Sequence, residues 1–256
     1  MTAIKLTTDR YHRFGPEDFG APGLVALESI GPAAEIAAFG PLVAVHDSTF
    51  EPNSGIGHHP HRGMERLFYI LEGTVDHDDS LNSIQGHMGT GDLGILTEGE
   101  RGMLHSEWNN TSGRARAYIF VYPTDPTPPT ASFDAVRDGE TKRLRTGPGA
   151  EVKQVIDRGP RRVRGDLREL ADVTLDAGAS YHKVSHPGEP SLLFVVDGDV
   201  VVHLDDEAYD AGPRETVLVP ATNTPNEVHV DARAPSRIIH AITGPGFGLV
   251  RREDLR

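Results

Sequence analysis

The chain contains no cysteine. A disulfide framework and every thiolate metal site are thereby excluded, and any metal has to be held by nitrogen and oxygen donors. Long apolar runs are missing too; none approaches the roughly 18 residues that a membrane-spanning helix needs. The N-terminal stretch MTAIKLTTDRYHRFG lacks the apolar segment of a signal peptide, so a cytoplasmic location is the expectation. Basic charge is in short supply, with 25 Lys and Arg against 38 Asp and Glu and a net charge of −13. Such a surface repels a phosphate backbone, which argues against direct nucleic-acid binding and otherwise serves solubility. The basic stretch Arg158-Gly-Pro-Arg161-Arg162-Val-Arg164 reads as a solvated loop or strand edge rather than a nucleic-acid patch.

Sustained helical periodicity is also absent. In its place, short β-branched and aromatic runs alternate with turn residues: LVAVHDSTF (42–50), RLFYILEG (66–73), DLGILT (92–97) and RAYIFVY (116–122) in the first half. DVTLD (172–176), SLLFVVDGDVVVHLD (191–205), ETVLVP (215–220) and SRIIHAI (236–242) follow in the second. With 28 glycines and 19 prolines as punctuation, the pattern predicts an all-β sandwich or barrel. The 256 residues are enough for two such domains, each with a core of its own. The proline-rich segment from Pro123 to Thr130 cannot continue a central strand and places a boundary near residue 130. A weak internal repeat supports duplication: LFYILEGTVDH (67–77) and LFVVDGDVVVH (193–203) share an apolar strand, an acidic residue, a Gly turn and a second strand ending at His.

Two short motifs carry chemistry. In a strand, residues i and i+2 project to one face, so His59 and His61 of His59-Pro60-His61 can point together into a barrel. His105-Ser106-Glu107 repeats the arrangement with an imidazole and a carboxylate. On neighbouring strands the two pairs would supply three nitrogens and one oxygen, a set suited to Fe(II), Mn(II), Ni(II), Cu(II) or Zn(II), with open positions for water or substrate. An open octahedral site of this kind leans toward iron. His58 has the opposite parity and should point away. Glu65 shares the histidines' parity and is read as a further ligand, an acceptor for an imidazole N–H, or a surface partner of Arg66. In the second half His182, His186 and His229 are the candidates, but no complete ligand set emerges around them.

These residues resemble the pirins, two-barrel members of the cupin superfamily. The likeness rests on Gly57-His-His-Pro-His-Arg-Gly63, Leu71-Glu-Gly-Thr-Val-Asp-His-Asp-Asp-Ser80 and Arg101-Gly-Met-Leu-His-Ser-Glu107, with Phe39-Gly-Pro-Leu42 before them and Gly244-Pro-Gly-Phe-Gly-Leu-Val250 as a variant of the family's C-terminal segment. It is strong over about residues 39–109 and holds only in outline beyond. The resemblance implies two tandem cupin barrels (double-stranded β-helices), residues 1–129 with a metal site and 130–256 degenerate. It also implies one divalent metal, Fe(II) foremost and Ni, Mn, Cu or Zn as alternatives, on His59, His61, His105 and Glu107.

Family members include quercetin 2,3-dioxygenases, which cleave flavonols with O2, and redox-sensitive transcriptional cofactors. The expected activity is therefore a metal-dependent dioxygenase acting on a flavonol-like or other enolic or phenolic molecule, with Glu107 as proton acceptor. The alternatives are a metal-dependent redox sensor that binds a protein partner without turnover, and a non-oxidative isomerase or cyclase. Phe68, Met103, Trp108, Tyr118 and Phe120 are the candidate pocket lining. The chain departs from the family's usual form in the segment Thr97-Glu-Gly-Glu-Arg-Gly102, one residue longer, and at Trp108 and Tyr118-Ile-Phe120. These differences lie around the expected pocket and bear on the substrate.

Overall fold

The short runs between turn residues pair into four sheets in the computed structural model, which describes residues 2–160 and 162–255. Arg161 of the basic stretch lies outside the described residues. The first half forms a large sheet whose strands follow the order Ser132–Val136, Leu93–Thr97, Met64–Glu72, Ala115–Pro123, Ala44–Phe50, Leu24–Ile30, Ile36–Phe39 and Leu249–Arg251, with His12–Phe14 added against Leu24–Ile30. A four-stranded sheet, Ser54–His61, Met103–Asn109, Thr74–Asp79 and Ile84–Gly89, completes this barrel. The second half repeats the plan with a seven-stranded and a four-stranded sheet. The chain is thus a double cupin barrel, and no helix among the described residues is long and apolar enough to cross a membrane.

The Gly turns of the internal repeat occupy equivalent places. Gly73 joins Met64–Glu72 to Thr74–Asp79, and Gly198 joins Ser191–Asp197 to Val200–Leu204. Both glycines have positive φ, +72° and +90°, where an L side chain is strained.

Three apolar clusters hold the structure together: one inside each barrel and one between them. The strand Ala115–Pro123 serves two of them. Ala117, Ile119 and Val121 point into the first barrel, while Tyr118, Phe120 and Tyr122 face the interface. Burial on both faces explains why this segment shows no polar alternation. Tyr118 stacks on Phe194 of the second barrel with ring centroids 4.1 Å apart.

Strands also cross between the halves. Ile4–Leu6 pairs with Thr216–Val219 in the second barrel, and Leu249–Arg251 pairs with Ile36–Phe39 in the first. Beyond the proline-rich segment, Ser132–Val136 still pairs with Leu93–Thr97. Its Phe133 lies over Gly86, where any Cβ would collide with the ring.

The second barrel contains a buried histidine with a consequence for stability. His240 accepts or donates one hydrogen bond with the Tyr181 hydroxyl at 3.0 Å, and its Nε2 has no partner. Burial, helped by the Lys183 charge, lowers its pKa to about 3. The unfolded chain takes up this proton near pH 6.5 and the folded chain does not. Stability is therefore present above about pH 6.5 and falls as pH drops toward about 3, by about 1.4 kcal/mol per pH unit. Thermal melts between pH 7 and 4.5 should show a shallower fall in His240→Leu than in the wild type; parallel curves would refute this assignment.

Candidate metal centre

The four-stranded sheet of the first barrel presents the histidines. Ser54–His61 is its edge strand, a position that tolerates Pro60, and His59 and His61 keep strand parity on either side of it. His59 lies directly opposite His105 on the neighbouring strand. The register then shifts between His105 and Glu107, with Glu107 opposite Ile56. On its other side Met103–Asn109 pairs with Thr74–Asp79, which sets Glu107 opposite His77.

Three imidazoles converge. The ring centroids of His59 and His105 are 4.4 Å apart, those of His59 and His61 4.8 Å, and those of His61 and His105 5.1 Å. One nitrogen from each lies within 4.8 Å of the others. The Gly57 carbonyl accepts from His59 Nδ1 at 2.9 Å, and Glu107 Oε1 accepts from His105 Nδ1 at 2.6 Å. Such partners leave the Nε2 lone pairs of His59 and His105 available, and His105 Nε2 is buried without any partner. Arg66 donates to His61 Nδ1 at 2.8 Å and is itself held by Glu98 at 2.7 Å. Burial, then Arg66 and the two other imidazoles, lowers the His61 pKa to about 3, and burial first also lowers that of His59. Both are neutral at pH 7; His59 has its Nε2 lone pair free, whereas His61, whose Nδ1 accepts from Arg66, gives up that hydrogen bond or its Nε2 proton in order to ligate. An orphaned buried nitrogen beside two neutral imidazoles fits a divalent metal.

Glu107 stands beside this trio rather than within it. Its Oε1 accepts from both His105 Nδ1 and His77 Nδ1, the latter at 3.0 Å, and its nearest cluster is His77 with His105. Burial opposes its ionisation, but the two imidazole hydrogen bonds prevail and hold the carboxyl far below the usual range. A carboxylate held this way is a weak proton acceptor. Both imidazole hydrogen bonds fall on Oε1, which leaves Oε2 as the atom suited to ligation.

The remaining candidates sort by face. His58 points out and pairs with Asp78 at 2.8 Å, as parity requires. Glu65 does not join the histidines and does not pair with Arg66. It is fully buried and accepts from Thr97, Tyr122 and the Arg164 backbone N–H, because the turn at Gly63, φ +83°, breaks parity between the two strands. Phe68 lines the cavity above the imidazoles, a space of about 240 Å³. Met103, Trp108, Tyr118 and Phe120 do not line it. Ile119 takes the wall position in place of its two neighbours, which face the second barrel. The long segment after Thr97 acts through Glu98, the residue that fixes Arg66 against His61.

In the second barrel, His182 and His229 sit opposite one another but half-exposed, with ring centroids 6.4 Å apart, and Asp231 accepts from His229. The His186 backbone N–H donates to Glu189. Among the described residues no three-donor cluster forms there. Sequence reasoning passed over His77, Arg66 and Glu98. Inward parity within Val75-Asp76-His77 was the available signal for the first; the other two become visible only through pairing across strands.

A family model described as Pirin matches residues 28–120, and one described as Cupin domain matches residues 171–242. The chain is 36% identical over 171 residues to quercetin 2,3-dioxygenase of Escherichia coli strain K12, spanning 64% of this chain and 69% of that one. It is 27% identical over 220 residues to human pirin, spanning 79% and 68%. The crystal structure of YhhW from Escherichia coli superposes on 95% of this chain and 98% of its own, with a TM-score of 0.76 at 20% identity. A YhhW structure in complex with nickel(II) does so over 92% and 99%, with a TM-score of 0.70 at 22% identity. At such identities the superpositions establish a shared double-barrel fold.

Proposed function

The chain belongs to the pirin family, and from that premise we propose that it is a metal-dependent dioxygenase acting with O2 on a small enolic or phenolic molecule. The observation that carries this reading is the apolar cavity lined by three converged imidazoles. His59, His61 and His105 would hold one divalent metal, Fe(II) in the first instance, with Glu107 Oε2 as the oxygen donor. A metal bound there supplies Lewis-acid charge that favours the anion of an enol or phenol and, when redox-active, a path for electrons to O2.

The chain's own residues account for the rest. Phe50, Phe68 and Ile119 give the cavity an apolar wall that excludes water and takes an aromatic or conjugated ring. Arg66 places a positive charge on the same wall, where a substrate anion is stabilised. At about 240 Å³ the cavity is below the roughly 300 Å³ at which ligand sites usually begin, which favours compact substrates.

Oxygen-electrode measurements on protein loaded with Fe(II), and separately with Ni(II) or Mn(II), test the reading across a panel from one-ring catechols and enols to flavonols. Oxygen uptake is expected, fastest with the compact members. Product formation without uptake would replace it with Lewis-acid isomerase chemistry, and no turnover with any member would favour a metal-dependent regulator.

A further inference from the structure

On the wall of the same cavity lies a carboxylate–imidazole pair that neither the metal nor the apolar packing accounts for. His12, Glu28 and His46 form a row across three adjacent strands, with His12 opposite Glu28 and Glu28 opposite His46. Glu28 is only 2% exposed. Its Oε1 accepts from the Ala33 and Ala34 backbone N–H groups at 2.9 and 3.1 Å, and its Oε2 pairs with His46 Nε2 at 2.9 Å. The carboxyl packs directly on Gly31, φ +152°, where a Cβ would stand 2.2 Å from Glu28 Cδ. The turn after Leu24–Ile30 is thus shaped around this one carboxylate, which a casual surface ion pair does not require.

The consequence falls on His46. Since Glu28 accepts, Nε2 carries the proton, and the neutral ring keeps its lone pair on Nδ1. Nδ1 has no hydrogen-bond partner among the described residues, and the ring lines the cavity with His59, His61 and His105. Other groups facing His46 are Phe14, with ring centroids 6.1 Å away, Ser48 on its own strand and Ile119 across the ladder. The remaining charged or titratable groups of the cavity are Arg66 and Glu107; Asp47 lies on the opposite face, engaged by Arg116. A buried carboxylate that fixes the tautomer of an imidazole is the arrangement of a general base.

The geometry points to His46 as the proton acceptor for substrate in this cavity, with Glu28 as the residue that positions it. The inference rests on the reading that the cavity takes an enol or phenol. The substrate O–H bond breaks, its electron pair stays on oxygen, and the proton forms an N–H bond at His46 Nδ1. The imidazolium remains paired with Glu28, and the anion faces the three-histidine site.

The test uses 4-nitrocatechol, whose ionisation is read from its visible absorption, bound to zinc-loaded and to metal-free protein, neither of which supports oxygen chemistry. In both forms the pH midpoint of the bound probe should rise in His46→Gln by about one unit, a tenfold change in proton affinity. Glu28→Gln should raise it by less, and zinc content should be unchanged in both variants. A midpoint in His46→Gln equal to that of the wild type, or failure of the wild type to bind the probe, would overturn the inference. A persistent His46-dependent shift without oxygen uptake by any redox-active metal form would sink the dioxygenase reading alone and leave His46 in its role.

Discussion

A His59→Ala/His105→Ala double variant is expected to lose its metal almost completely, from about one ion per chain to under roughly a tenth of that after dialysis against trace metal. The two residues are the direct cross-strand pair of the site, and each has its second ring nitrogen committed to an acceptor, the Gly57 carbonyl and Glu107. That commitment is what prepares an imidazole to ligate. Removing both leaves His61 alone of the three, and one imidazole with a carboxylate holds a divalent ion weakly. Glu107→Gln keeps an acceptor oxygen for His105 and His77 but loses the charge, so a smaller fall in affinity is expected from it. Metal analysis of the purified proteins reads both results. Undiminished metal in the double variant would place the site elsewhere. Oxygen uptake should disappear with the metal.

Asp172→Ala should be the most damaging single change away from that site, costing about 3 kcal/mol and lowering Tm by several degrees. Asp172 is buried at the junction of the barrels, where it accepts from Tyr69 of the first barrel at 2.5 Å and from Arg237 of the second at 2.7 Å. Lys153, also buried, reaches the Tyr69 hydroxyl at 3.3 Å and the Gly91 carbonyl of the first barrel at 2.5 Å. Arg237 continues to the Leu71 carbonyl. Without Asp172, the Arg237 guanidinium and the Tyr69 phenol lose the acceptor they share, while Lys153 keeps Asp138 and the Gly91 carbonyl. Burial, the largest cause of the raised Tyr69 pKa, persists when the Asp172 charge is removed, so the hydroxyl stays protonated and does not supply the missing negative charge. Urea unfolding followed separately by Trp108 fluorescence and by far-UV circular dichroism measures the effect. A single coincident transition is expected in the wild type and a lower, broader one in the variant. An unchanged midpoint would show that the polar network contributes little and that the apolar cluster and the exchanged strands join the barrels.

Much of the candidate metal centre is local in sequence. A period of two fixes which side chains share a face, so His59 with His61 and His105 with Glu107 are legible from a few residues each. The same rule turns His58 outward, and it does so because a strand leaves no choice of face. Gly73 and Gly198 announce the hairpins for an equally local reason, their positive φ. The absence of cysteine removes thiolate sites without any knowledge of the fold.

Parity fails wherever a turn or a bulge intervenes, or where both faces of a strand are buried. Glu65 follows the turn at Gly63 and so faces away from the histidines it appeared to match in number. Tyr118 and Phe120 are as apolar as Ile119, and composition alone does not say which face meets the cavity and which the second barrel. The strand beyond the proline-rich segment joins the first sheet by pairing with Leu93–Thr97, a contact that no linker composition reveals.

The three-histidine centre therefore divides cleanly. The sequence by itself determined the donor types and their pairing within each strand, because covalent spacing and strand geometry act over two residues. Only the tertiary structure decided that Glu107 leans on His77 and His105, that Arg66 is held against His61 by Glu98, and that Glu28 and His46 meet beside the cavity. Those contacts depend on the register between strands distant in sequence, and register is set by how whole sheets pack.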